Sequence, residues 1–138
     1  MKNTAYLVGM LLKQFLSGLG EVRKAISWEF TKPEKLMGQS PSVREIEKML
    51  STVLASFRQA FICIDAVGEF PVKERWHLFD SLVRLIQRSL GTRLFLTSRR
   101  RVQREMKQHL DKMDAQIVSI GSNEEDIRRY ITERLDKD

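Results

Sequence analysis

Leu7, Leu11, Phe15 and Leu19 recur every fourth residue near the start of the chain, with Leu12 and Leu16 beside them. That period lays one apolar stripe along a helix and predicts one over 4–19, closed by Gly18 and Gly20. Residues 21–39 hold Trp28 and Phe30 but also Pro33 and Gly38, a pattern that predicts a short helix and then a loop. Ser42 and Glu45 have capping-box spacing, in which hydroxyl and carboxylate satisfy free amides at a helix start. The helix they open runs to about Phe57, with Ile46, Leu50, Val53 and Leu54 on its inner face.

The period then changes. Phe61-Ile62-Cys63-Ile64 is a short, β-branched apolar run without alternation, as expected of a strand buried on both faces of a parallel sheet. Residues 74–90 read as a long amphipathic helix, with Trp76, Phe79, Leu82, Val83, Ile86 and Leu90 apolar and Gly91 closing it. A second strand is predicted over 93–97, a basic helix over 101–110 and a third strand over 115–120. Ser122 and Glu125 repeat the capping-box spacing and open a final helix with Ile127, Tyr130, Ile131 and Leu135 inward. Strands alternating with helices predict an α/β fold with a parallel sheet. The pattern gives one domain over 1–138, with a helical segment over 1–58 and the strands and remaining helices over 59–138.

Composition narrows the class. A chain of 138 residues with 42% hydrophobic and 30% charged residues has a globular balance and room for a core. Cys63 is the only cysteine, which excludes an internal disulfide and a cysteine-built zinc site. No apolar run is long enough to span a bilayer. Lys2 ahead of apolar residues 5–12 looks superficially like a signal peptide. Lys13 and Gln14 end that run, however, and no small-x-small cleavage site follows promptly, so the expected compartment is cytoplasmic and reducing.

The net charge of +6 favours polyanions. The densest basic cluster is Arg99, Arg100, Arg101, Arg104 and Lys107, with Glu105 among them. No aromatic residue interleaves there for base stacking, so the cluster reads as a solvated helix face or a protein-contact surface, and nucleic acid is not the expected partner. His77 and His109 have no ligand spacing around them, and Cys63 reads as a small buried hydrophobe.

The candidate chemistry sits at two strand ends. The run 61–64 ends in Asp65, and Glu69 follows four residues on. Ligands of doubly wound sheets lie at the carboxyl ends of strands. A carboxylate there suits Mg²⁺, which prefers oxygen ligands and keeps several waters. Glu69, in the next loop, would position a water. The second strand ends in Thr97, Ser98 and Arg99, whose forked donors suit a nucleotide γ-phosphate.

Together these pieces resemble the later part of a NACHT-type NTPase module, in the version found in fungal signal-transduction proteins and nephrocystin-like proteins. Residues 11–16 resemble the helix after the family's second strand. Residues 61–69 resemble its Walker B segment, an apolar strand followed by D-A-L-D-E. Residues 94–99 resemble its L-L-V-T-S-R strand end, and 124–131 its E-D-I-R-x-Y-I exit helix. The resemblance implies a three-layer, P-loop-NTPase-like parallel sheet, incomplete here at about three strands with flanking helices. It implies Mg·ATP or Mg·GTP as cofactor, with Asp65 on the metal, Glu69 as the catalytic water-positioning group and Arg99 on the nucleotide.

The sequence also departs from that pattern. Gly68 stands where the second acid of D-A-L-D-E falls, and Arg100 where proline is usual. No G-x-x-x-x-G-K-[ST] occurs, and no glycine is followed by lysine. In the family that phosphate cradle lies upstream, so the chain is expected to begin after it and not to hydrolyse ATP usefully by itself. In the family's sheet the cradle strand separates the sensor strand from the last one. Residues 115–120 are therefore expected to slide to the sensor strand, receive a strand from a partner, or stay exposed. The expected partners are the missing N-terminal half of the module, other protein domains, or a second copy by self-association. The class that competes with a nucleotide switch is a non-catalytic interaction module using an open sheet edge or the basic helix.

Overall fold

The structure is a computed structural model and describes residues 3–19 and 41–136. The short helix and loop predicted over 21–39 lie outside the described residues. Helix α1 spans Thr4–Ser17, with the Asn3 side chain accepting from the Tyr6 amide at its start. Helix α2 spans Val43–Ala55 and carries the predicted capping box: Ser42 accepts from the Glu45 amide, and the Glu45 carboxylate accepts from the Ser42 amide at 2.7 Å. Strand β1, Ala60–Ile64, is followed by helix α3, Val72–Arg88, and strand β2, Thr92–Leu96. Helices α4, Gln103–Leu110, and α5, Glu124–Leu135, complete the described elements.

The two strands pair in parallel, from Ala60 opposite Thr92 to Ile64 opposite Leu96. Gly91 lets β2 start close against the preceding segment, because a Cβ there would lie 2.6 Å from the Arg58 carbonyl oxygen. One apolar core gathers Val8 and Leu11 of α1, Leu50 of α2, Ile62 of β1 and Phe79 and Leu82 of α3. Burying side chains of this size contributes about 1.5–3 kcal/mol each. The core is tied by Glu47 of α2, which is fully buried yet bonded to Ser81 and, at 2.6 and 2.9 Å, to Arg84 of α3.

The fold is mixed α/β and mostly helical, with a two-stranded parallel sheet among the described residues. Several expectations are corrected. Residues 115–120 form no strand; Val118 is 80% exposed and Ile120 95% exposed. A strand persists only where its amides find a ladder, and this segment meets neither sheet edge. The sheet is not covered on both faces either. Ala60, Ile62 and Ile64 are buried, whereas Phe61 and Cys63 between them are exposed. Phe61 and Phe95 lie on that bare face with ring centroids 6.1 Å apart. A short continuous apolar run does not reveal how many faces are covered, which is why Cys63 reads as buried.

Helix ends shift as well. Helix α3 stops at Arg88 and leaves Leu90 exposed, and α4 is preceded by a 3₁₀ turn at Arg100–Val102. Helix α5 is capped by Asn123, whose side chain accepts from the Glu125 amide, rather than by Ser122. Its Ile127, Tyr130, Ile131 and Leu135 are exposed, not inward.

Candidate functional site

The carboxyl ends of β1 and β2 are joined through Thr97. Its hydroxyl donates to Oδ1 of Asp65 and accepts from the Ala66 amide at 2.9 Å. Its amide donates to the Ile64 carbonyl and its carbonyl accepts from the Val67 amide, both at 3.0 Å. Ala66 sits in the left-handed region at φ 54, ψ 46, which for a residue with a Cβ costs about 1–2 kcal/mol. Those four hydrogen bonds hold the reversal in place. They leave Asp65 exposed at the strand end, where the sequence predicts it.

A 3₁₀ turn, Val67–Glu69, follows. Val67 is fully buried and anchors it, and Glu69 is exposed on its last residue. Gly68 has a packing reason: a Cβ at that position would meet Cγ2 of Val102 at 2.9 Å. An acid at this position would have to displace Val102.

Arg75 secures the far side of the turn. It is 8% exposed, and its Nη1 donates to the Phe70 carbonyl at 2.9 Å and to the Gly68 carbonyl at 3.2 Å. Its Nε and Nη2 clasp Glu105 of α4 at 2.8 and 2.7 Å. The paired hydrogen bonds from Arg75 hold the Glu105 carboxyl below its ordinary range and raise the Arg75 guanidinium. One side chain thus connects the turn after Asp65 to the helix bearing the basic cluster.

Arg99 is exposed two residues beyond Thr97, at the start of the 3₁₀ turn that leads into α4. Asp65 is bonded to Thr97 rather than to Arg99. The strand ends bring Asp65 and Thr97 together; Glu69 and Arg99 stand on the two segments that leave those ends. Thr97 lies inside the strand-end motif of the sequence, but its bond to Asp65 depends on strand register. The pairing of Arg75 with Glu105, 30 residues apart, has no sequence signal at all.

The donor set tests whether a metal fits. Among the described residues no three His, Cys, Asp or Glu side chains gather to hold an ion. Asp65 offers one carboxylate beside a hydroxyl, which fits only a Mg²⁺ held mostly by waters and phosphate oxygens. A cavity of about 320 Å³ reaches Asp65 and Phe70, walled by Tyr6, Leu7 and Met10 of α1. Another, of about 450 Å³, is lined by Arg44, His77, Asp80 and Arg84 and contains none of the predicted site residues. Among the described residues no helix is long and apolar enough to cross a membrane.

Residues 1–99 match a family model described as Nephrocystin 3, N-terminal. The match covers Asp65, Glu69 and Arg99 and ends before α4. No curated protein and no solved structure matches the chain.

Proposed function

The chain belongs to the nephrocystin 3 N-terminal family, and from that membership we propose that it is the Walker B and sensor portion of a NACHT-like nucleotide switch in a cytoplasmic signal-transduction protein. The observation that carries this reading is the joined pair of strand ends. Thr97 fixes Asp65 at the carboxyl edge of a parallel pair, where such sheets take ligands.

Each residue has a role in this reading. Asp65 would hold a Mg²⁺ bound with ATP or GTP, and the metal would supply charge neutralisation of the phosphates. Glu69 orients water beside it. Arg99 contacts the γ-phosphate and so distinguishes triphosphate from diphosphate. Nucleotide state then biases the position of the turn at 66–70 and, through Arg75 and Glu105, of α4. The sequence holds no G-x-x-x-x-G-K-[ST], and Gly68 packs where a second acid would sit, so the reading includes binding but not turnover by this chain alone.

Titration of a fluorescent ATP analogue with Mg²⁺ tests it. Saturable binding should weaken at least tenfold in Asp65→Ala and in Arg99→Ala, a loss of about 1.4 kcal/mol. Equal affinity in all three chains would defeat the assignment.

A second reading is a protein-interaction module. It is favoured by the bare sheet face bearing Phe61 and Phe95, each more than half exposed. It predicts partner binding that ignores Asp65 and Arg99 substitutions. If the basic helix is the contact, binding falls on charge reversal at Arg101 and Arg104.

A further inference from the structure

Two cavities, of about 320 and about 330 Å³, run one after the other along β1. Both are lined by Leu11, Gln14 and Cys63, so they form one groove with α1 as one wall and β1 as the other. No β2 residue lines either cavity, which puts the groove at the edge of β1 turned away from β2.

Parallel pairing decides which backbone groups face that groove. The Ala60 amide donates to Gly91 and the Ile64 carbonyl accepts from Thr97, so these positions point toward β2 and its flanking residues. Alternate residues of a parallel strand serve opposite neighbours. Phe61 and Cys63 therefore turn their N–H and C=O groups to the groove. It has the form of a slot for one more strand.

The same chain carries a segment suited to that slot. Residues 115–120 read Ala-Gln-Ile-Val-Ser-Ile, rich in β-branched residues, and form neither helix nor ladder. Six residues extend about 20 Å as a strand, against about 17 Å for the five of β1.

We propose that residues 115–120 of a second copy of this chain add as a strand to the outer edge of β1, in the groove against α1, and that two copies do this reciprocally. Every copy holds both the slot and the strand, so a reciprocal exchange about a two-fold axis leaves neither unpaired. The main-chain bonds supply affinity, and the exposed Val118 and Ile120 supply apolar anchors. The proposal deepens the open-edge interaction reading and does not depend on the nucleotide reading.

Cys63, the lone cysteine, lies in the groove and serves as a reporter. Val118→Cys and Ile120→Cys are each introduced into the full chain and mildly oxidised, with Ser56→Cys on the far end of α2 as control. A disulfide-linked species of twice the chain's mass, formed several-fold faster with Cys at 118 or 120 than at 56, supports the proposal. An internally bridged monomer overturns it, since the segment would then fill its own slot. Equal cross-linking of the control, or of the unmodified chain through Cys63 alone, also overturns it.

Sedimentation gives a second measure. The unmodified chain should be dimeric at micromolar concentration. Val118→Asp combined with Ile120→Asp should make it monomeric with an unchanged circular dichroism spectrum, because both side chains are exposed within the single chain, and its melt should lose only the concentration-dependent part that association supplies. A variant that stays dimeric overturns the proposal. A monomeric unmodified chain that still binds a synthetic peptide of residues 113–122 overturns the second copy but keeps the open-edge reading. A monomer that also ignores the peptide defeats both.

Discussion

The Thr97 hydroxyl donates to the Asp65 carboxylate while accepting from the Ala66 amide, so one side chain fastens the ends of both strands and a left-handed residue between them. Thr97→Val keeps the β-branched shape and removes both bonds. It should lower stability by about 1–2 kcal/mol, a figure kept small because the site is exposed. Chemical denaturation of the two chains measures this. An unchanged midpoint would mean that the register of β1 and β2 alone sets the turn.

Gly68 marks the departure from the paired acids of the family pattern. Gly68→Asp places a Cβ against Val102 and should cost about 1–3 kcal/mol. Val102→Ala should recover part of that loss in the double variant, although Val102→Ala alone is destabilising because the side chain is buried. A double-mutant cycle with zero coupling energy would place the cause elsewhere.

Arg75→Ala should be among the most destabilising single changes outside the core. It leaves the Gly68 and Phe70 carbonyls without this donor and Glu105 without its counter-charge, a loss of about 3 kcal/mol. Arg75→Lys should recover little, because a single ammonium cannot clasp both carboxylate oxygens and reach the turn as well. Full rescue by lysine, read from the thermal midpoint, would contradict the clasp.

Acid should act through two carboxylates. Burial alone would raise the Glu47 carboxyl, but its bonds to Arg84 and Ser81 and the charges of Arg84 and Arg44 outweigh that and hold it below its ordinary value of 4.5. Glu105 is held below the same value, chiefly by Arg75. Groups that bind protons less tightly when folded contribute stability above their unfolded value and lose it as pH falls through the folded one. The melting temperature should therefore change little between about pH 7 and about pH 5 and drop below pH 4.5. Glu47→Gln should be less stable at neutral pH and lose less on acidification. A parallel acid fall in both chains would remove Glu47 from the account.

Much of the fold is legible in the sequence alone. Helices α1, α2 and α3 announce themselves through period, because their apolar stripes face one core, and α2 also through its capping box. Both strands are visible in composition, and Asp65 lies where the apolar run predicts it. Residues 115–120 show the limit: Ile117, Val118 and Ile120 carry strand propensity, but a strand is a property of a pair, and its neighbour is not in the segment. The same holds for Cys63, whose exposure depends on whether anything covers the second face. Thr97 and Arg75 gain their roles from register and from the packing of α3 on α4, neither of which leaves a local signature.

The most direct test of the switch reading is a thermal melt with and without millimolar Mg·ATP, alongside Asp65→Ala. A ligand bound only by the folded chain raises stability by RT ln(1 + [L]/Kd), about 1.4 kcal/mol at ten times Kd. For a chain of this size that is roughly 4 °C. The account predicts a cooperative melt shifted upward by Mg·ATP, less by Mg·ADP and not at all in Asp65→Ala. A cooperative melt that Mg·ATP leaves unmoved would contradict it.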